Sequence, residues 1–101
     1  MIKATVLYGH PNDTDAFEKY YAETHTPIAS GMKGVDKMEL TKFVSAPDGG
    51  KPAYYRIAEL YFARPAEMQQ SMGSPEGQAT AADLANFATG GVTMIIGAVE
   101  N

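Results

Sequence analysis

His25 stands in the word Thr24-His25-Thr26-Pro27, with Tyr21 four residues before it. Imidazole gains or loses its charge near neutral pH and a phenol can steer a ligand oxygen, so such a pair suits proton transfer. The i, i+4 spacing puts both side chains on one side of a helix, which makes His25 and Tyr21 the candidate catalytic residues. A plainer role for His25 is to cap the last helical carbonyls ahead of Pro27. Arg56 and Glu59 interrupt an otherwise apolar run. Three residues apart in a strand, they point to opposite faces. Together with Tyr8 and Tyr61, which carry hydroxyls on apolar bodies, they are the candidate substrate-binding residues. The plainer roles are an ion pair for the charged residues and core packing for the tyrosines. Asp83 reads as a solvated or capping carboxylate.

A metal site is not expected. His10 lies in the turn Gly9-His10-Pro11, near the start of the helix that carries His25 at its finish. A helix of about a dozen residues, rising ~1.5 Å per residue, holds its ends roughly 15 to 20 Å apart. The chain has no cysteine, which removes thiolate nucleophiles, zinc–thiolate sites, iron–sulfur clusters and disulfides. Phosphate-loop, dinucleotide and serine-triad motifs are absent, so no cofactor is expected.

The elements that must position these residues are legible from patterning. Ile2–Tyr8 is rich in branched and aromatic residues and is closed by the turn formers Gly9 to Asp13. Asp15 and Glu18 have capping-box spacing, and a helix is expected from there, with Phe17, Tyr20, Tyr21, Thr24 and Ile28 as its buried stripe. Glu18, Lys19 and Glu23 are expected to face water. Pro27 disfavours helical geometry at Thr26, where the helix is expected to end or kink. Lys37–Val44 and Tyr54–Phe62 flank the turn-rich Ala46 to Pro52 and read as an antiparallel hairpin. Arg64-Pro65 and Ser74-Pro75 open two short helical segments or one broken helix, and Val92–Val99 is a last apolar strand. The order β-α-β-β-α-β suits an α+β, ferredoxin-like fold, a four-stranded antiparallel sheet with its helices on one face. Both faces of the sheet read as apolar. Two copies are therefore expected to stack sheet on sheet around a barrel-like cavity.

The 101 residues make one domain, 1–101, with 45% hydrophobic residues and a formal charge of −4. No Lys or Arg stripe offers itself to nucleic acid or an anionic membrane. The amino terminus lacks the apolar core of a signal peptide, and no stretch approaches the ~20 apolar residues that span a bilayer. A cytoplasmic location is expected.

In order and spacing the whole chain resembles the EthD family of dimeric α+β-barrel proteins. The matching words are Val6 to Pro11, Phe17, Tyr20-Tyr21, Thr24 to Pro27, Ala58 to Phe62, Ser74 to Gln78 and Ala82 to Val92. Met32-Lys33-Gly34 departs from the Pro-Gly step common in relatives. The resemblance implies a homodimer binding a small hydrophobic ligand. Members are often labelled oxidoreductases, while the wider superfamily includes polyketide cyclases, cofactor-free monooxygenases and lactone isomerases. By that analogy His25, with Tyr21 and Tyr8 nearby, carries the chemistry. Two functions are open: an enzyme acting on a small hydrophobic oxygenated compound with His25 as acid/base, or a non-catalytic accessory protein that binds such a compound for an oxygenase. A dimer with a filled core and a role only in protein contact is a third.

Overall fold

Alternation of branched and polar residues shapes β1 (Ile2–Tyr8), the strand on which the rest is built; the computed structural model describes all residues, 1–101. β1 pairs antiparallel with β3 (Arg56–Phe62) on one side and with β4 (Val92–Ala98) on the other, and β2 (Lys37–Lys42) extends the sheet beyond β3. The strand order is β2-β3-β1-β4, the expected α+β arrangement, and the hairpin of β2 with β3 is antiparallel. No helix is long and apolar enough to cross a membrane.

The first helical stretch departs from expectation in three respects. Asp13, not Asp15, is its N-cap and accepts from the Ala16 N–H at 3.1 Å, so α1 spans Thr14–Tyr20. The chain does not stop at Thr26. It widens into a π-helical turn over Tyr21–His25, with the Thr26 N–H bonded to the Tyr21 carbonyl, and continues as α2 (Thr26–Ala29). Pro27 supplies the physical reason: it has no N–H to give, and in a regular helix its ring would press on the carbonyl four residues back. Opening the preceding turn relieves that pressure. The buried positions consequently run Phe17, Tyr21, His25, Ala29, while Tyr20, Thr24 and Ile28 are only half-buried.

Two short helices follow β3. α3 (Pro65–Gly73) and α4 (Pro75–Asp83) are separated by Ser74, whose hydroxyl caps α4 by accepting from the Gly77 N–H at 3.1 Å. A 3₁₀ turn over Leu84–Asn86 leads on to β4. The helices cover the side of the sheet that carries Ala4, Val6, Tyr8, Ala58, Leu60 and Phe62, and the core forms there with Phe17, Tyr21, Met68 and Phe87. Gly9 and Gly90 bring the β1 and β4 ends so close that a side chain at either would collide with the other's backbone.

The opposite face corrects the expectation of a uniformly apolar surface. Register places Lys3, Thr5 and Leu7 beside Tyr61, Glu59 and Ile57, and beyond them Lys37, Glu39 and Thr41. Lys3 pairs with Glu59 at 2.7 Å and Lys37 with Glu39 at 3.3 Å. Uncovered apolar surface is concentrated instead on β4. Its helix-side residues Val92, Met94 and Ile96 are exposed, because the helices do not reach over this edge strand, and Ile95 is exposed on the other side.

Candidate functional site

The π turn and the end of α4 meet over a buried ion pair. His25 Nδ1 lies 2.9 Å from Asp83 Oδ2, and both residues are buried, with 5% and 7% of their surface exposed. Asp83 is thus neither solvated nor a cap. Its Oδ1 accepts from the Tyr20 hydroxyl at 2.6 Å and from the Asn86 amide at 2.9 Å. Burial opposes ionisation of Asp83, but the hydrogen bonds from Tyr20, Asn86 and His25 outweigh it and hold the carboxyl below its ordinary range. An ionised carboxylate only accepts, so Nδ1 presents the proton. Nε2 makes no hydrogen bond within the chain, yet it is not a fully buried unpartnered atom, so it keeps a narrow contact with solvent.

Aromatic rings wall this pair. The Phe87 ring lies 4.6 Å from the His25 ring, and Tyr21 stacks along it at 5.7 Å with an interplanar angle of 22°. The widened turn brings residues four apart closer to eclipse than a regular helix does, which favours that stacking. Tyr8 meets Tyr21 edge-on at 5.6 Å from the floor of the sheet. Burial raises both hydroxyls above the usual phenol range, Tyr8 strongly. The guanidinium of Arg56 sits 4.7 Å from the centre of the Tyr21 ring, a cation–π contact. It is held there by Glu18, which accepts from Arg56 at 2.9 and 3.3 Å and from the Tyr55 hydroxyl at 3.0 Å. Glu18 therefore does not simply face water. Burial opposes its charge, and the Arg56 and Tyr55 hydrogen bonds more than offset this, lowering its pKa.

The fold brings His25, Tyr21, Tyr8 and Arg56 to one side of the sheet, and it sends Glu59 and Tyr61 to the other. Tyr61 lies between Lys3 and Lys37, whose ammonium groups are 5.5 and 5.3 Å from its ring. Since the His25 cluster lies on the helix side, a cavity enclosed by stacked sheets would not contain it. A surface crevice of about 180 Å³ is lined by Tyr20, Asn86, Phe17 and Phe87, the neighbours of the pair, and not by His25 itself. Sequence reasoning missed Asp83, Tyr20, Asn86 and Glu18. The one available signal was Pro27 inside a helical pattern, which marks an irregular turn beside Tyr20. His10 is far from this group in role: its Nε2 meets the Pro52 carbonyl at 2.7 Å, and no cluster of residues could hold a metal ion.

The EthD domain family model matches residues 10–91. An uncharacterised 11.0 kDa protein from the thcB-thcC intergenic region of Rhodococcus erythropolis is 44% identical over 95 residues, which cover 94% of this chain and 91% of that one. The crystal structure of an ethyl tert-butyl ether d (EthD) family protein from Bacillus halodurans matches with a TM-score of 0.93 and 33% identity over 99% of each chain. Two remoter structures share the fold alone, each with a TM-score of 0.66. One is a dimeric protein of unknown function and ferredoxin-like fold from Bacteroides fragilis, 13% identical over 94% of this chain and 92% of that one. The other is SnoaB, a cofactor-independent oxygenase from Streptomyces nogalater, 12% identical over 99% of this chain and 92% of that one.

Proposed function

Because the chain belongs to the EthD family, we propose that residues 1–101 form one cytoplasmic enzyme domain that moves a proton on a small hydrophobic, oxygenated compound, with His25 as acid/base and no cofactor of its own. The observation that carries this is the buried His25–Asp83 pair at 2.9 Å with Nε2 left free. Asp83 fixes the proton on Nδ1, so the Nε2 lone pair is the base. Once Nε2 takes a proton, the carboxylate stabilises the imidazolium, and the same nitrogen then returns the proton as an acid. Tyr21 and Phe87 pack about the imidazole and shield it from bulk water, and Arg56, held by Glu18 against the Tyr21 ring, is the cation of this cluster. Glu59 and Tyr61, on the far face, are left out of this site. Deprotonation is the step shared by isomerisation, cyclisation and cofactor-free oxygenation, and the fold likeness to SnoaB supports a reaction of that kind.

The working form is a homodimer joined at β4. Its exposed Val92, Met94, Ile95 and Ile96 and its free edge call for cover, and the dimeric Bacteroides fragilis protein of like fold supports this.

Purification from the native host, with mass spectrometry of any compound released on denaturation, would identify the ligand. His25→Ala should then lower its turnover about 10²- to 10⁴-fold while the protein stays folded, and His10→Ala should leave it unchanged. Equal turnover by His25→Ala would sink the proposal, and tight binding without conversion by the wild type would make the protein a carrier for another enzyme.

A further inference from the structure

We infer that Tyr20 and Asn86 are positioning residues: by holding one oxygen of Asp83 they aim the other at His25 and fix the tautomer that leaves Nε2 unprotonated. The carboxylate is gripped from two sides. Oδ1 takes both the Tyr20 hydroxyl at 2.6 Å and the Asn86 amide at 2.9 Å, while Oδ2 is left for Nδ1 at 2.9 Å. Asn86 reaches back three residues from the 3₁₀ turn that ends α4, so it moves with Asp83. Tyr20 reaches across from the other helix. Five residues separate Tyr20 from His25, which in a regular helix turns the two about 140° apart. The π turn, whose bonds run from i to i+5, winds less per residue and brings the two onto one side of the helix, where both meet a single carboxylate. Pro27 thus shapes the site through the backbone: it opens the turn that lets Tyr20 and His25 share Asp83.

No other group is in a position to orient Asp83. The Tyr20 ring is held in turn by stacking on Phe87 at 5.3 Å, which also touches His25 at 4.6 Å. The donors to Oδ1 are neutral, and neither is hydrogen-bonded to His25 itself. They act only through Asp83, which distinguishes them from the acid/base group itself.

The two donors make a particular consequence for Asp83→Asn. While Tyr20 and Asn86 keep donating as they do to Oδ1, they claim the amide oxygen of the substituted side chain; its NH₂ then turns toward Nδ1, and His25 shifts its proton to Nε2. Removing both donors frees the amide to turn over, present its oxygen to Nδ1 and restore the original tautomer.

The test is long-range ¹H–¹⁵N correlation on ¹⁵N-histidine protein in a His10→Gln background, at alkaline pH where imidazole is neutral. Wild type should show the proton on Nδ1. Asp83→Asn should reverse the preference to Nε2–H by about tenfold or more, given the cost of two donors facing each other when buried. Asp83→Asn combined with Tyr20→Phe and Asn86→Ala should bring Nδ1–H back. Retention of Nδ1–H in Asp83→Asn, or of Nε2–H in the triple variant, overturns the inference. Should Asp83→Asn fail to fold, Tyr20→Phe with Asn86→Ala on native Asp83 decides the matter: a loosened carboxylate should let the Nδ1 proton exchange several-fold faster, and unchanged exchange overturns the inference. It rests on His25 being the acid/base group, but its readout is the position of a proton, so loss or survival of turnover does not decide it.

Discussion

The His25–Asp83 contact can be weighed by a double-mutant cycle on stability. His25→Ala removes a ring packed against Phe87 at 4.6 Å and Tyr21 at 5.7 Å, and leaves a buried carboxylate with two of its three donors. That combination costs about 2–4 kcal/mol. Asp83→Ala leaves His25, 5% exposed, with its Nδ1–H facing no acceptor. Breaking a buried pair costs about 3–5 kcal/mol at its upper range. Here the figure falls to about 2–4 kcal/mol, because half-buried Tyr20 and exposed Asn86 can turn to water while His25 cannot. Each single variant strips the same charge-assisted bond, so the double variant should lose less than the sum by about 1.5–3 kcal/mol. Urea unfolding at pH 7, followed by far-ultraviolet circular dichroism, reads all four proteins. Protein concentration must be held constant, since self-association would shift every midpoint. Additivity within about 0.5 kcal/mol would refute the claim that the two side chains are energetically joined.

Phe87→Ala should be among the most damaging core substitutions, about 3–5 kcal/mol in the same urea assay, because this ring touches His25, Tyr20, Tyr21, Tyr8 and Phe17 at once; a loss under about 1 kcal/mol would show that the cluster repacks. Glu18 and Asp83 both titrate lower in the folded chain, so the unfolded chain binds more protons as pH drops. Their contribution is full above the ordinary carboxylate range, about pH 4, and is lost as pH falls through the folded values. Glu18→Gln and Asp83→Asn should therefore each make stability less steeply dependent on pH below that range, and an unaltered slope in acid urea titrations would count against the pairing. Ile96→Glu should turn the dimer proposed at β4 into a monomer by light scattering, whereas the charge-reversed Lys37→Glu on the far sheet face should not.

The sequence by itself determined the strands, the hairpin, the two later helix starts at Pro65 and Pro75, and the same-side relation of Tyr21 and His25. These are local matters: alternation, turn residues and i, i+4 spacing are written in neighbouring positions. It also separated Arg56 from Glu59 correctly, since strand period alone sends residues three apart to opposite faces. What the sequence did not contain in any local form was the partner of each charge. Asp83 lies 58 positions from His25, on a helix of small residues with no apolar stripe to mark a buried side. Glu18 looks like any helix-surface acid until Arg56, 38 positions away, is folded beside it. The character of the open sheet face was misread for the same reason: hydrophobic content in β3 and β4 was visible, but the cross-strand register that lays Lys3 on Glu59 was not. Pro27 shows the division most sharply. The sequence announced that the helix could not continue regularly past it, and only tertiary packing decided that the turn would widen instead of ending, because Tyr20 and His25 gain a shared buried carboxylate by staying helical.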